Sequence, residues 1–303
     1  NESASLTGRL SILSQHRDDW IDNGFTGEDD ALGGFDEFAW RAQVNWDVND
    51  DFSALVNVHG RNNDGTASIF RANILTTGSN DLNQNYIRDR VFFDEGDNNP
   101  QQADALGGSL TLTYSIDDSL TLTSITAHEQ VSNFSLGDID GGFGASFLPI
   151  MGPGFIPFPS QTQDAIDNLD QFTQELRLAK DGDGYFWQAG IYLFDSEFAV
   201  TTTPFFVPAT TVIHSNEAWA VFGQLSVDVS DSLTVTGGVR YTDDQKDLSA
   251  VNSPIPVTPV GVSDEQTSWD LSGLYVVNDN FNLFARVANG FRAPTIQGRD
   301  IAF

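Results

Sequence analysis

The sequence predicts an all-β protein, an antiparallel transmembrane β-barrel, on the basis of three observations. Apolar and polar residues alternate with a period of two along most of the chain, and no stretch keeps helical spacing. The alternating segments are roughly ten to thirteen residues long, whereas strands of soluble proteins average about five or six. Short polar turns alternate with long connections, as expected for a barrel with tight turns at one rim and long loops at the other.

The clearest strand is predicted over residues 37–48. Its apolar side chains share one face: Phe38, Trp40, Ala42, Val44, Trp46 and Val48. Its polar side chains, which include Glu37 and Arg41, share the other face. Segments 105–116, 217–229 and 232–244 show the same alternation.

Weaker alternation brings the prediction to about eleven strands; the additional segments are 5–14, 51–61, 119–131, 169–179, 185–196, 266–277 and 281–291. At about 3.3 Å per residue and a tilt near 40°, strands of this length cross the roughly 25 Å apolar band of an outer membrane. Segment 119–131 is the exception, because its apolar residues change frame between Leu122 and Ile125. A bulge or a misread register is expected there.

The connections predict which ends of the strands share a rim. Short polar turns are expected at 49–50, 117–118, 181–184, 230–231 and 278–279, and long connections at 15–35, 62–104, 132–168, 197–215 and 247–265. Connections 15–35 and 62–104 are rich in Asn and Asp, and we expect them to be solvated.

Composition excludes several classes of protein. The 14 Lys and Arg against 43 Asp and Glu give a net charge of −29, so a generic nucleic-acid binder, which needs a basic face, is excluded. The absence of cysteine excludes disulfides, thiol nucleophiles and iron–sulfur clusters. No apolar run approaches the roughly 20 residues of a membrane-spanning helix. No signal peptide is visible at Asn1, so we expect either a processed chain or a fragment.

Charged residues fall on the polar frame of the predicted strands. A cation facing lipid at the bilayer midplane costs roughly 2–4 kcal/mol, so this frame is predicted to face the lumen. The lumen-facing residues are predicted to be Arg9, Glu37, Arg41, Arg61, Glu175, Arg177, Arg240, Asp270 and Arg286. The alternative is a soluble sheet with one solvated face.

Motifs for catalysis are absent from the sequence. The four histidines are far apart, and neither a metal-binding HExxH, a P-loop nor a nucleophile elbow occurs. Residues 181–184 have some character of a calcium loop, but a tight turn is favoured. The sequence therefore predicts no enzyme, no cofactor and no metal site.

Two long connections carry aromatic residues among chain breakers. Segment 141–159 contains Phe143, Phe147, Phe155 and Phe158, and segment 203–208 contains Phe205 and Phe206. Aromatic side chains on such loops either contact a ligand or pack the loops against one another. These six residues are the candidate ligand-binding residues.

A phrase near the end of the chain resembles the barrel of TonB-dependent outer-membrane receptors. It consists of Gly290, Phe291, Arg292, Ala293, Pro294 and Thr295, directly after the predicted strand 281–291. Phrases at 120–127, 172–178, 187–194, 220–224 and 233–242 are similar to others of the family. The resemblance implies a 22-stranded barrel filled by a plug domain, of which this chain, over residues 1–303, would be a partial barrel domain without the plug.

The resemblance also implies a function. Such a receptor of the Gram-negative outer membrane, surrounded by lipid and lipopolysaccharide, binds a scarce nutrient at its outer loops. It passes the nutrient through the lumen with energy delivered by a TonB-type protein acting on the plug. Ferric siderophores are the commonest ligands of the family, with haem, cobalamin and oligosaccharides as further options. A passive porin and a secreted acidic β-protein binding calcium or carbohydrate remain the alternatives.

Overall fold

The chain folds into one large antiparallel sheet and one small sheet. A computed structural model describes residues 5–71, 74–93, 97–141, 161–204 and 208–296. The large sheet has eleven strands, and the small sheet has three. Within these described ranges, no helix is long and apolar enough to cross a membrane.

The strands are, in chain order, β1 (Ser5–Arg17), β2 (Ile21–Asn23), β3 (Glu28–Leu32), β4 (Phe35–Asp47), β5 (Phe52–Thr66), β6 (Arg90–Val91), β7 (Pro100–Ser115), β8 (Leu120–Asp138), β9 (Gln161–Gly182), β10 (Tyr185–Thr203), β11 (Thr210–Ser230), β12 (Leu233–Asn252), β13 (Val260–Asn278) and β14 (Phe281–Asn289). The large sheet follows chain order once β2, β3 and β6 are left out. Every neighbouring pair in it is antiparallel, as in an up-and-down barrel wall.

All eleven predicted strands are present, and the predicted fold class is confirmed. Most of them continue several residues further at the end that carries the long connections, for example to Asp138 in β8 and to Asn252 in β12. The last strand ends at Asn289, so Gly290 and Phe291 leave the sheet. In β12 the strand length was underestimated because the alternation is interrupted by three consecutive polar residues, Gln245, Lys246 and Asp247.

The tight turns are held by side chains that bond to the backbone. Asn49 Oδ1 accepts hydrogen bonds from the backbone N–H groups of Asp51 and Phe52 at 2.9 and 2.8 Å. Asp117 accepts from the N–H groups of Ser119 and Leu120, and these bonds hold the pKa of its carboxyl below the usual range. Gly184 has a φ of +72°, which a glycine adopts without strain.

The connections expected to be solvated instead build the small sheet. Strands β2 and β3 form a hairpin, and β6 pairs with β2 in parallel. Ile21, Leu32, Val91 and Phe93 form its buried core. Asn23 is fully buried and donates to the carbonyl of Phe93 at 2.9 Å. Most described residues of 15–35 and 62–104 are exposed or half-buried, as predicted, but the prediction missed this core, in which sparse apolar residues from two distant segments combine.

Register divides the large sheet into two faces. One face carries Arg41 with its cross-strand partners Ser11 and His59, and we call it the arginine face. The opposite face carries Val44 with its partners Gly8 and Val56, and we call it the apolar face. Large hydrophobic side chains are exposed along the apolar face, including Val44 (41%), Ile191 (46%) and Leu271 (53%).

Strand β8 reverses this pattern without a bulge between Leu122 and Ile125, and its pairing with β9 shifts register only further on, between Val131 and Asn133. Its pairing with β7 is continuous from Thr121 to Ser135, so the predicted bulge between Leu122 and Ile125 is absent. Ile125 lies on the arginine face, opposite Thr111 and Glu175. The change of frame in the sequence is therefore a real change of polarity between the two faces.

The polar row that results on the apolar face of β8 is bonded to β9. Thr126 Oγ1 donates to Gln174 Oε1 at 2.5 Å, and Gln174 Nε2 donates to Ser124 Oγ at 3.0 Å. His128 Nε2 lies 3.0 Å from a carboxylate oxygen of Asp170. These cross-strand bonds reduce the cost of placing polar groups on this face.

Candidate functional site

The arginine face collects the charged residues that the sequence singled out. The register places all nine on this one face: Arg9, Glu37, Arg41, Arg61, Glu175, Arg177, Arg240, Asp270 and Arg286. That this face points into a lumen stays a prediction.

Three of these cations form a basic cluster on neighbouring strands. Arg9 on β1, Arg41 on β4 and Arg61 on β5 line a cavity of about 430 Å³. Arg61 Nε lies 2.7 Å from Glu37 Oε1. Within the part of the chain that the structure describes, Arg9 and Arg41 have no ion-pair partner. Their positive charges are therefore not neutralised by a neighbouring carboxylate at the cavity.

An imidazole and a carboxylate meet beside this cluster. His59 Nε2 lies 3.0 Å from Glu129 Oε1, although β7 separates their strands. Gly107 is the residue between them, and a Cβ there would come within 1.9 Å of the Glu129 carboxylate. The missing side chain of Gly107 therefore lets Glu129 reach across the strand. This pair is not predictable from local sequence, because it depends on the register of three strands.

Other charges on the face are paired more simply. Arg286 Nε lies 3.3 Å from Asp270 Oδ2, and Arg177 lies 3.6 Å from Glu175. The carboxylate of Asp270 extends over Gly238, where a Cβ would come within 2.6 Å of it. These pairs leave little open charge on their part of the sheet.

Arg240 is held by aromatic rings instead of a carboxylate. Its guanidinium carbon lies 5.5 Å from the ring centre of Tyr192 and 5.8 Å from that of Phe222. Its Nε donates to Thr242 Oγ1 at 3.0 Å. Tyr192 and Phe222 were not among the predicted site residues. Both are aromatic residues on the polar frame of their strands, which is the signal that could have indicated them.

The phrase Gly290–Thr295 lies next to Arg240. After β14 ends, Phe291 and Ala293 line a cavity of about 330 Å³ together with Tyr192, Phe194 and Arg240. Gly290, Arg292 and Thr295 are exposed, and Pro294 is half-buried. The phrase therefore packs two of its residues against the arginine face of β10 to β12.

The candidate aromatic residues of the long connections lie outside the described residues. These are Phe143, Phe147, Phe155, Phe158, Phe205 and Phe206. Their role in ligand contact stays a prediction. In the described part of the chain, no group of three or more His, Asp or Glu side chains is arranged to hold a metal ion.

The sheet order, the two faces and the Gly290–Thr295 phrase define the class of protein. The family model described as TonB dependent receptor-like, beta-barrel, matches residues 55–301, and the chain belongs to this family of the Gram-negative outer membrane. The membership confirms the resemblance read from the sequence.

Particular proteins that the chain resembles are named as receptors. The chain is 28% identical over 134 residues to the pesticin receptor of Yersinia pestis, covering 41% of this chain and 20% of that protein. It superposes on the ferric yersiniabactin uptake receptor FyuA of Yersinia pestis with a TM-score of 0.72 and 19% identity, covering 93% of this chain and 41% of that one. For the open form of the ferric-catecholate import receptor Fiu of E. coli K12, the TM-score is 0.69 and the identity 11%, covering 95% and 50%. The chain thus spans half or less of these relatives.

Proposed function

We propose that this chain is the wall of a receptor that takes up a scarce nutrient, a ferric siderophore, across the outer membrane with energy from a TonB-type protein. The ligand binds at the long outer connections and then moves through the lumen along the arginine face. No covalent chemistry is required, because the receptor moves the ligand from one side of the membrane to the other without altering it. The TonB-type protein would act through a plug domain.

The observation that carries the proposal is the basic cluster of Arg9, Arg41 and Arg61. A chain with a net charge of −29 repels anions at long range. Two of the three cluster arginines nevertheless point open charges into one cavity. Such a local reversal of charge suits an anionic ferric chelate, which would otherwise be excluded from the lumen.

The names of the relatives favour iron among the possible cargoes. FyuA is described as a ferric yersiniabactin uptake receptor, and Fiu as a ferric-catecholate import receptor. The copper transporter OprC has a similar fold, with a TM-score of 0.61. The fold alone therefore does not fix the cargo, and the proposal of a ferric siderophore depends on the relatives together with the basic cluster.

The apolar face supports a lipid-facing wall. Its exposed Val, Leu, Ile and Trp side chains would be unfavourable in water and favourable against acyl chains. Lipid and lipopolysaccharide of the outer membrane are therefore proposed as the surroundings of this face.

The test is uptake of radioactive iron by cells that express the intact receptor as their sole siderophore receptor. Iron-limited cells are supplied with a panel of ferric siderophores, with and without a functional TonB protein. We expect one or more chelates to be imported only when TonB is present. Import that is independent of TonB, or no import of any ferric chelate, would contradict the proposal.

The basic cluster is tested in the same assay by the double variant Arg9→Gln with Arg41→Gln. At low ligand concentration we expect uptake to fall by up to about fivefold for each open charge removed. Lys180→Gln is the matched control, because Lys180 lies on the opposite face of β9 and the change of charge per site is the same. Surface levels of all variants are compared by immunoblotting.

The loop aromatics are tested by Phe155→Ala and Phe205→Ala. If these residues contact the ligand, uptake should fall while the surface level is unchanged. Unchanged uptake would favour a role in packing the loops.

A further inference from the structure

A groove opens on the apolar face where β5, β7 and β8 lie side by side. Its volume of about 470 Å³ is within the range of small-molecule pockets, which runs from about 300 to 1,000 Å³. Its floor is apolar and consists of Val58, Leu106 and Leu110. Gly108 lies between the two leucines on the same face, opposite Val58 and His128. The missing side chain of Gly108 therefore makes the hollow.

One wall of the groove is polar and presents mainly acceptors. Thr126 Oγ1 donates to Gln174 Oε1 at 2.5 Å, and Gln130 Nε2 donates to Asp170 Oδ2 at 3.0 Å. His128 Nε2 lies 3.0 Å from Asp170 Oδ1. Because an ionised carboxylate only accepts, Nε2 of the neutral imidazole carries the proton and Nδ1 is an acceptor. The acceptors that remain for an occupant are Thr126 Oγ1, His128 Nδ1 and Gln130 Oε1.

The surroundings of this wall are negative. Asp170 lies opposite Gln130 and Glu197 on the neighbouring strands, and Asp104 lies on the same face of β7. β7, β8 and β10 contain no lysine or arginine, and Lys180 of β9 lies at the far end of the strand, beside the tight turns. An anionic head group, or a second copy of this negative surface, would be repelled here, whereas a cationic group would be attracted.

The groove lies at the level where acyl chains give way to head groups. His128 is between ten and eleven residues from the turn at 117–118. At about 3.3 Å per residue and a tilt near 40°, it lies about 27 Å above this turn, at the upper boundary of a band roughly 25 Å thick. Below this level the apolar floor continues through Leu110 to its cross-strand partner Val56. This order matches a lipid with its head group at the polar wall and an acyl chain along the floor.

We propose that the groove is a seat for a membrane lipid with a primary ammonium head group, of the phosphatidylethanolamine type. The ammonium donates to Gln130 Oε1 and His128 Nδ1 beside the Asp170 carboxylate, and an acyl chain packs along Val58 and Leu110. The inference rests on the proposed function for the assignment of the apolar face to lipid, and it deepens that function by naming a lipid for one place on the face.

The absence of cysteine from the chain allows a test at a chosen position. Val56→Cys, at the lower end of the groove, is labelled with a bimane fluorophore in the intact receptor, and any cysteine elsewhere in the receptor is replaced by serine. Leu225→Cys is the control position, because Leu225 lies on the apolar face and its partners Trp187 and Gly237 belong to β10 and β12, away from the groove.

The labelled receptor is placed in dioleoylphosphatidylcholine vesicles that contain a minor fraction of a lipid with brominated acyl chains, which quench a nearby fluorophore. The brominated lipid is phosphatidylethanolamine, phosphatidylcholine or phosphatidylglycerol, so that the chains are the same and only the head groups differ. Phosphatidylcholine is the sharpest comparison, because its head group is also zwitterionic but has no N–H donor.

At position 56 we expect brominated phosphatidylethanolamine to be enriched by about threefold or more over phosphatidylcholine, and phosphatidylglycerol not to be enriched. At position 225 phosphatidylethanolamine and phosphatidylcholine should quench equally. Gln130→Leu removes an acceptor and Gly108→Val fills the hollow, so each should reduce the preference at position 56. Gly223→Val is the matched control, because Gly223 lies on the apolar face of β11, where a Cβ would have its nearest neighbour at 3.6 Å, against 3.2 Å at Gly108.

Equal quenching by phosphatidylethanolamine and phosphatidylcholine at position 56 would overturn the proposal, as would enrichment of phosphatidylglycerol there. Weak quenching by all three lipids at position 56 alone would mean that a protein covers the groove, and would also overturn it. Weak quenching at both positions would contradict the lipid seat together with the lipid-facing wall of the proposed function. Iron uptake is measured separately on the unsubstituted receptor. A receptor that imports iron but shows no head-group preference at position 56 refutes the lipid seat and leaves the proposed function standing.

Discussion

Replacing Val44 by arginine tests the assignment of the two faces most directly. Val44 is 41% exposed, and its cross-strand partners on the apolar face are Gly8 and Val56. It lies between five and six residues from the Asn49–Asp50 turn. At about 3.3 Å per residue and a tilt near 40°, this places it about 14 Å above the turn, close to the middle of a band roughly 25 Å thick.

The expected cost follows from that depth. An arginine facing lipid at the midplane costs about 2–4 kcal/mol, and no carboxylate is available on the apolar face beside Gly8 and Val56. The ratio of folded to unfolded receptor should therefore fall roughly 30- to 700-fold. The matched control is Asn45→Arg, on the next residue but the opposite face, where Asp47 already accepts a hydrogen bond from the Asn45 side chain at 2.9 Å. The control should lose less than about 1 kcal/mol.

The measurement is denaturant unfolding of the intact receptor in lipid vesicles, followed by tryptophan fluorescence. The amount of folded receptor in outer-membrane fractions gives a second readout in cells. Equal losses of unfolding free energy for Val44→Arg and Asn45→Arg would show that the apolar face does not meet lipid, and the assignment of the lumen would fail with it.

Three further predictions concern particular contacts. Gly107→Ala should displace the Glu129 carboxylate from His59 and lower the unfolding free energy by about 1–3 kcal/mol, whereas Gly223→Ala, with its nearest neighbour at 3.6 Å, should have little effect. Thr126→Val and Gln174→Leu should each be destabilising alone but less than additive together, because the single changes leave a polar partner unpaired on the apolar face. The pKa of Asp22 is lowered by hydrogen bonds from Arg90 and from the backbone N–H of Asp30, so its contribution to the small sheet is present above about pH 4 and is lost as the pH falls through the lower folded-state pKa. Hydrogen exchange of residues 19–34 should therefore accelerate at low pH beyond its intrinsic change, and Asp22→Asn should reduce this dependence.

Each of these has an outcome that would contradict it. If Gly107→Ala left the unfolding free energy of the receptor unchanged, the contact between Glu129 and His59 would not contribute to its stability. Fully additive effects of Thr126→Val and Gln174→Leu would mean that the hydrogen bond between them contributes nothing. Unchanged exchange of residues 19–34 in Asp22→Asn would remove Asp22 as a contributor to the pH dependence.

The large sheet was predictable from the sequence because each strand carries its own signal. In β4 and β12, alternation with period two identifies the strand and separates its faces without knowledge of any partner. The charged residues were placed on one face for the same reason. Strand ends were less predictable, because β12 continues through Gln245, Lys246 and Asp247, where side chains on both faces are polar.

The small sheet and the site contacts were not predictable in the same way. The core of β2, β3 and β6 joins Ile21 to Val91, which are far apart in the chain, and neither segment has enough apolar residues to indicate a core alone. The pair of His59 and Glu129 requires the register of β5, β7 and β8. The reversed polarity of β8 was visible in the sequence, but only its continuous pairing with β7 distinguished it from a bulge.

The sequence by itself determined that the chain is an antiparallel sheet with one apolar and one charged face. Successive side chains of a strand point to opposite faces, so the order of residues alone predicts which side chains share a face. Only the tertiary structure decided which charged residues meet. One example is Arg240, which lies close to the rings of Tyr192 and Phe222, with Phe291 lining the same cavity. These contacts depend on the register of the strands and on the path of the chain after Asn289, and local periodicity predicts neither.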